Sequence, residues 1–163
     1  MHPSRLLKHL LVPHWLALRQ FPKSSLRKIE EAIKASEHQH DGELRFAAEA
    51  GLPFHFLKFS PRRRAEALFS ELRVWDTQHN SGVLIYVQLL DRRIEIVADR
   101  GIAAKVEQAE WETVCRRMEE SFKKKQYLDG ALEGIERITQ ILARHFPPRA
   151  RHPNELPDKP VVL

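Results

Sequence analysis

The chain has 163 residues, of which 42% are apolar and 30% are charged, and this length supports one compact core with flanking segments. Its single cysteine, Cys115, excludes an internal disulfide and a zinc site built from several cysteines. The formal net charge of +5 is compatible with anionic partners, but 22 acidic residues are interspersed among 27 basic ones. Charge alone therefore selects no partner.

Residues 1–22 form a basic, amphipathic N-terminal segment. Its apolar side consists of Leu6, Leu7, Leu10, Leu11, Trp15 and Leu18, and its basic side of Arg5, Lys8 and Arg19. Two interpretations remain open: docking on the domain's own core, or peripheral contact of residues 5–19 with an anionic membrane. No run reaches the roughly 18 apolar residues of a transmembrane helix, and Pro13 interrupts the region where a signal peptide needs a long apolar stretch.

Residues 23–74 predict a helix, a strand and a second helix. Ser24 and Ser25 can cap a helix whose apolar residues recur at helical spacing before His38. In residues 43–50, apolar side chains alternate as they do in a strand. The pair Ser60-Pro61 is typical of a helix start, and the apolar stripe after it continues to about Val74.

Residues 79–102 contain two strand-like runs that meet at a short polar turn. Residues 83–90 are almost entirely apolar, which predicts an inner strand, whereas residues 93–98 alternate more and predict a strand nearer the edge. Asp91 and Arg92 supply the turn. Beyond them, residues 111–122 and 131–146 carry helical apolar stripes, and Cys115 lies within the first stripe as a packed thiol.

The C-terminal residues 148–163 form a Pro-rich tail, which we expect to be extended or mobile. The elements before it follow the order α, β, α, β, β, α, α. A strand–helix–strand unit makes a right-handed crossover between parallel strands, and the hairpin then adds an antiparallel strand. The sequence thus predicts an α/β fold, a small mixed sheet with helices on its faces.

This topology gathers polar residues at one edge of the sheet. If strand 43–50 is parallel to strand 83–90, both begin at the edge where strand 93–98 ends. The residues expected at that edge are Asp41, Glu43, Asp76, His79, Asn80, Asp99 and Arg100.

These residue types suit two kinds of ligand. The oxygens of Asp41, Glu43, Asp76, Asn80 and Asp99 are candidate ligands for Ca²⁺ or another divalent cation, and Arg100 and His79 are candidate phosphate or anion contacts. The alternative is that the same residues form turns, caps and surface ion pairs.

Other familiar chemistry is missing from the sequence. There is no Gly-rich phosphate loop, so we expect no nucleotide cofactor, and no paired-cysteine metal motif. The basic groups 62–64, 116–117 and 123–125 lie on amphipathic helices without interleaved aromatic residues, which argues against nucleic acid. Weak binding of nucleic acid or of an anionic membrane through these helices remains an alternative.

Several stretches together resemble the TPM domain family, named for thylakoid-lumen, photosystem-associated and acetylcholine-receptor-modulating (MOLO-type) members. The resemblance covers about Ser24 to Phe146 and rests on "NSGVLIYV", on Asp99 to Ile102 and on the tryptophan-led helix "WETVCRRMEESF". The stretches "GELRF", "RVWDTQHNSG" and the C-terminal "NELPDKPVVL" are similar to a short bacterial branch. The resemblance assigns residues 23–147 to a TPM domain.

The resemblance implies a three-layer α/β/α sandwich with a Rossmann-like mixed sheet, divalent-cation binding, and the acid phosphatase activity proposed for plant members. Only Asn80 to Gly82, Asp99 and Gly101 match the family pattern closely enough to take over a site role. Many relatives continue with Leu-Glu after the turn, where this chain has Ile102-Ala103 and therefore lacks the acidic residue. The signal peptide and transmembrane helix of many relatives are also absent from the sequence pattern.

Two hypotheses follow from these observations. The first is an accessory domain that binds a protein partner or a divalent cation, either cytoplasmic or peripheral at the inner face of the bacterial membrane. The second is a metal-assisted phosphatase in which Asp76 and Asp99 hold the cation, His79 acts as general acid and Arg100 binds the phosphate. The missing acidic residue after the turn favours the first.

Overall fold

The computed structural model describes residues 9, 11, 15–149 and 153–163. The helices are α1 (Trp15–Gln20), α2 (Lys23–Glu37), α3 (Pro61–Glu71), α4 (Arg100–Ala103), α5 (Gln108–Lys123) and α6 (Tyr127–His145), with a 3₁₀ turn at Phe54–Phe56. The strands are β1 (Glu43–Glu49), β2 (Gly82–Gln88), β3 (Arg93–Ala98) and β4 (Val161–Val162). The predicted helices and strands are all present, and the short α1, α4 and β4 and the 3₁₀ turn are additions to them.

The four strands form one mixed sheet in the order β3-β2-β1-β4. Strands β1 and β2 are parallel, with Glu43 opposite Gly82, and β2 and β3 form the antiparallel hairpin. The hairpin turn contains Arg92 at φ 52°. The inner position of β2 and the edge position of β3 confirm the sequence prediction.

The continuous apolar run of β2 is explained by burial on both faces. Val83, Ile85 and Val87 belong to a core shared with α2, α5 and α6. Leu84 and Tyr86 point to the opposite face and pack with α3. Because both faces of β2 are covered, alternation disappears from its sequence. The three-layer α/β/α sandwich is therefore confirmed.

The Pro-rich C-terminal residues contribute a strand to the sheet. Val161 and Val162 pair in parallel with Ala47 and Ala48, and the N–H of Leu163 donates to the Ala48 carbonyl at 2.9 Å. Before this strand, Leu156 packs into the α3 side of the core with 6% exposure. The tail was predicted as extended or mobile without a pairing partner, and the structure supplies that partner in β1.

The N-terminal segment reaches the hairpin turn. Of residues 5–19, residues 5–8, 10 and 12–14 lie outside the described residues. His9 is buried: its Nδ1 accepts the Leu52 N–H at 2.9 Å, and its Nε2 lies 3.2 Å from both carboxylate oxygens of Asp91. None of the described helices combines the length and apolarity needed to cross a membrane.

Candidate functional site

The loop 72–81 crosses the open end of the β2–β3 hairpin at very short range. A Cβ on Gly82 would lie 1.9 Å from the Val74 carbonyl oxygen, and a Cβ on Gly101 would lie 2.6 Å from the carbonyl oxygens of both His79 and Asn80. Asn80 itself has φ 52°, a left-handed conformation that asparagine tolerates better than most residues. Glycine at these two positions therefore lets the loop lie directly on the hairpin and on α4.

The loop and α4 are joined by hydrogen bonds that involve predicted site residues. Arg100 Nε donates to Asn80 Oδ1 at 2.9 Å, and the Gly101 N–H donates to the Asn80 carbonyl at 3.1 Å. Asp99 precedes α4 and its Oδ1 accepts the Arg100 N–H at 2.7 Å. The structure thus brings His79-Asn80 and Asp99-Arg100 together at the open end of the hairpin, although they are about twenty residues apart in sequence.

Two buried oxygens at this end have no hydrogen-bond partner among the described residues: Asp99 Oδ2 and Ser81 Oγ. Asp99 is 9% exposed and Ser81 is 2% exposed. The Asp99 N–H donates to the Gly82 carbonyl at 2.8 Å, which places Asp99 beside the residue that follows Ser81. A buried carboxylate oxygen without a partner is costly, so this pair marks the position where a ligand would stabilise the fold.

Arg149 links two further predicted residues, Asp41 and His79. Its Nε lies 2.9 Å from Asp41 Oδ2, and its Nη1 lies 2.7 Å from His79 Nε2. Asp41 is buried, whereas His79 is exposed. The sequence did not reveal Arg149 as a site residue because it lies in the segment predicted as a tail.

Glu43 adjoins this group through its backbone, since its N–H donates to the Ser81 carbonyl at 3.0 Å, and Asp76 lies in the loop before it. Glu43 is fully buried and its Oε2 accepts the Leu156 N–H at 3.0 Å, so its carboxylate is turned toward the C-terminal segment. Asp76 is exposed in the turn after α3, where its N–H donates to the Arg73 carbonyl at 2.9 Å. Within the described part of the chain, no three His, Cys, Asp or Glu side chains group so as to hold a metal ion.

A second set of carboxyl groups lies beneath the C-terminal segment. The pKa of Glu37 is raised to about 9, chiefly by burial and also by the negative charges of Glu43 and Asp158, against a lowering by the Leu44 N–H. That N–H donates to Glu37 Oε1 at 2.9 Å. The guanidinium of Arg45 donates to the carbonyls of Pro157 and Lys159 on the same segment. Glu37 is therefore protonated at neutral pH and serves the attachment of the C-terminal residues.

At the opposite end of the sheet, a buried charge network is fully paired. Arg64 Nη2 donates to Glu49 Oε1 at 2.8 Å, and the Tyr86 hydroxyl donates to Glu49 Oε2 at 2.6 Å. Arg64 also bonds Glu71 at 3.0 Å and lies 4.9 Å from the centre of the Phe56 ring. Each buried charge has a partner of opposite sign, so removing any one partner would leave an uncompensated buried charge between α3 and the sheet.

Cys115 is not a nucleophile. Burial raises the pKa of its thiol to about 12, and the nearby carboxylates of Glu95 and Glu119 act in the same direction. The reactive form of cysteine is the thiolate, which is scarce under these conditions. The thiol is packed as its position in an apolar helical stripe predicts.

Comparisons with known proteins agree with this architecture. The family model of the TPM domain matches residues 20–141. The solution structure of the BA42 protein from the psychrophilic bacterium Bizionia argentinensis is similar, with 29% identity and a TM-score of 0.76, over 85% of this chain and 92% of that chain. No curated protein sequence matches.

A second solution structure, the N-terminal domain of a P. gingivalis protein, has 16% identity and a TM-score of 0.64. The match covers 86% of this chain and 95% of that one, and at this identity it shows the fold alone.

Proposed function

Because this chain belongs to the TPM domain family, we propose that it is a binding domain that holds a divalent cation where loop 72–81 crosses the open end of the hairpin. The observation that carries the proposal is Asp99 Oδ2, a buried carboxylate oxygen with no hydrogen-bond partner in the described residues. Further candidate oxygen donors are Ser81 Oγ, which precedes the Gly82 that Asp99 bonds, and the carbonyls of His79 and Asn80, which face Gly101. An all-oxygen donor set suits a hard cation such as Ca²⁺ or Mg²⁺.

The charge of the site limits the affinity that we expect. Asp99 is the carboxylate available for the cation, since Asp41 is paired with Arg149 and Glu43 is turned toward Leu156. Arg100 lies beside the site and opposes a second positive charge. Sites with few charged ligands bind Ca²⁺ with dissociation constants on the order of 10⁻⁴ to 10⁻³ M, and we expect this range.

The test is a titration of the full chain with CaCl₂ and MgCl₂, followed by backbone amide NMR. We expect shifts confined to residues 79–82 and 99–101. Asp99→Asn keeps the oxygen that caps α4 but removes the negative charge, and it should abolish the shifts. Asp76→Asn is the matched control, because Asp76 is an exposed aspartate of the same loop. Unchanged spectra at about 10 mM of either cation, well above the expected dissociation constant, would refute the proposal.

A second candidate function, metal-assisted phosphate-ester hydrolysis, is favoured by the basic groups around the same position. Arg100 and Arg149 would neutralise a bound phosphate, and His79 lies exposed with Nε2 2.7 Å from Arg149. Because a guanidinium only donates, His79 Nε2 accepts from Arg149, and the proton that His79 would give to the leaving oxygen is the one on Nδ1. A cation held at Asp99 would supply an activated water in place of a protein nucleophile.

One feature favours binding over hydrolysis. Many relatives have leucine and then an acidic residue after the turn. This chain has Ile102, which is fully buried in the core, and then Ala103, so the acidic group is missing. The distinction is measurable with p-nitrophenyl phosphate in the presence of Mg²⁺. An enzyme would be established if the protein hydrolysed this substrate and if His79→Gln abolished the hydrolysis but kept the cation-induced NMR shifts. We expect instead that the wild type hydrolyses no more substrate than Asp99→Asn does.

A further inference from the structure

The large apolar side chains that remain exposed are concentrated in two segments. Among the described residues they are Leu11, Trp15, Phe54, Phe59 and Trp75, with exposures of 71%, 57%, 72%, 42% and 50%. Leu11 and Trp15 belong to the N-terminal segment, and Phe54 and Phe59 belong to the loop after β1. Exposed apolar groups mark an interaction surface when they adjoin one another, so the contact between these two segments matters.

His9 holds these two segments together. Its Nδ1 accepts the N–H of Leu52 at 2.9 Å. Leu11 follows His9 by two residues and Phe54 follows Leu52 by two residues, and successive Cα atoms are about 3.8 Å apart. The Cα atoms of Leu11 and Phe54 therefore lie within about 8 Å of those of His9 and Leu52, the two residues that are joined. That contact is at the end of the sheet where β1 and β2 finish.

The loop after β1 is built to present Phe54 to the outside. Leu52 and Leu57 are buried at 4% and 3% exposure and anchor the loop on either side. Phe56 packs inward against Arg64, 4.9 Å from its guanidinium carbon. Between the anchors, the 3₁₀ turn leaves the Phe54 ring 72% exposed. A ring this exposed projects from the surface instead of lining a groove.

Two cations lie in or next to this loop. Lys58 Nζ lies 5.2 Å from the centre of the Phe59 ring. Arg63, in the first turn of α3, is 68% exposed, and its Nη1 lies 3.6 Å from Glu66 Oε2. The nearby carboxylate of Asp91 is engaged by His9. Projecting aromatic rings among lysine and arginine are the combination that binds the headgroup region of anionic membranes.

We propose that this end of the molecule, the aromatic end formed by Leu11, Phe54, Lys58, Phe59 and Arg63, docks on an anionic lipid surface. The apolar groups enter the headgroup–acyl boundary, and the cations contact lipid phosphates. The N-terminal segment contributes through Leu11 and Trp15, and the loop contributes Phe54, whose ring has the larger exposed fraction. This surface is at the opposite end of β2 from the cation position at Asp99, so the two sites are separate.

The experiment is co-sedimentation of the full chain with vesicles of phosphatidylcholine alone and with vesicles containing about one third phosphatidylglycerol, at low and physiological salt. We expect binding to the anionic vesicles that weakens with salt. Phe54→Ser should weaken it at least about tenfold, since a buried phenylalanine ring accounts for that factor.

Trp75→Ser is the matched control, because it also removes an exposed aromatic ring. Trp75 follows Val74, which packs on Gly82 at the start of β2, and β2 places it roughly 20 Å from the aromatic end. Its vesicle binding should equal that of the wild type. Three results would overturn the proposal: no binding to anionic vesicles, equal binding to neutral vesicles, or an equal loss of binding in Phe54→Ser and Trp75→Ser. A protein would then be the occupant of this surface.

Fluorescence tests the N-terminal contribution separately. In Trp75→Phe, the remaining tryptophans are Trp15, which is 57% exposed, and Trp111, which is 2% exposed and buried in the core. Because Trp111 is shielded from lipid, a blue shift on addition of anionic vesicles reports Trp15. An unchanged spectrum under conditions where the protein sediments would refute the participation of the N-terminal segment.

Discussion

Replacing Glu37 with glutamine should stabilise the protein, and increasingly so as the pH rises. Burial raises the pKa of this carboxyl group to about 9, with Glu43 and Asp158 adding to the effect. The protonated Glu37 accepts the Leu44 N–H through Oε1 and forms a side-chain hydrogen bond with Asp158. Glutamine has an acceptor and a donor in the same places and cannot ionise. The substitution therefore removes a titration while it keeps both hydrogen bonds.

The direction of the pH dependence follows from the two pKa values. In the unfolded chain Glu37 titrates near 4.5, and in the fold near 9. Below pH 4.5 the folded and the unfolded chain both hold the proton, and the full stability is present. Between pH 4.5 and about 9 only the unfolded chain releases the proton, so the free energy of unfolding falls as the pH rises. The slope is at most about 1.4 kcal/mol per pH unit, so the interval from pH 5 to 8 costs up to about 4 kcal/mol. Glu37 is partly exposed, which places the real cost below this limit.

The assay is urea unfolding of the wild type and of Glu37→Gln at pH 5, 6.5 and 8, with the difference in unfolding free energy as the measured quantity. Other titrating groups cancel in that difference. Glu31→Gln is the control, the same substitution in the same helix at a side chain that is 68% exposed. A difference that stays constant with pH, or that falls, would show that Glu37 is ionised in the fold and would refute the reasoning.

Three further predictions concern other parts of the molecule. Gly82→Ala should lower the free energy of unfolding in urea by about 3 kcal/mol or prevent folding, because its Cβ would lie 1.9 Å from a backbone carbonyl. The control is Gly42→Ala, whose Cβ would meet the end of a flexible side chain at 3.2 Å and which should cost far less. Tyr86→Phe should destabilise the fold by about 1–3 kcal/mol at pH 7, because it leaves a Glu49 oxygen without its 2.6 Å donor; an unchanged midpoint would mean that Arg64 alone satisfies this carboxylate. Cys115 should react with a thiol reagent at pH 7.5 only after unfolding, because its native pKa is raised to about 12, and rapid labelling of the folded chain would contradict that value.

Local patterns predicted most of the sheet. The apolar run of β2, the Asp91-Arg92 turn and the alternating β3 indicated a hairpin, and the strand–helix–strand rule made β1 parallel to β2. From these two relations alone, His79-Asn80 and Asp99-Arg100 were expected to meet, and Arg100 does bond Asn80. The relevant constraints act over short distances in sequence or through a general rule of handedness.

The features that the sequence did not reveal depend on distant contacts. The three apolar residues that end the chain, Val161 to Leu163, indicate no strand until the free edge of β1 is known. Arg149 likewise has no local sequence signal that links it to Asp41 or His79. The burial of Glu37 is likewise a product of residues more than a hundred positions away, since Asp158 lies against it. Composition could not separate the projecting Phe54 from the packed Phe56.

The position of β4 has a consequence for the order of folding. Its two residues pair with β1 across more than a hundred intervening positions, whereas β1, β2 and β3 lie within the first two thirds of the chain. Contacts over such separations are the slowest to form. Until β4 docks, β1 is the bare outer strand of a three-stranded sheet and can recruit a strand from another molecule. We therefore expect the C-terminal segment to protect the edge of β1 from intermolecular pairing once it has docked.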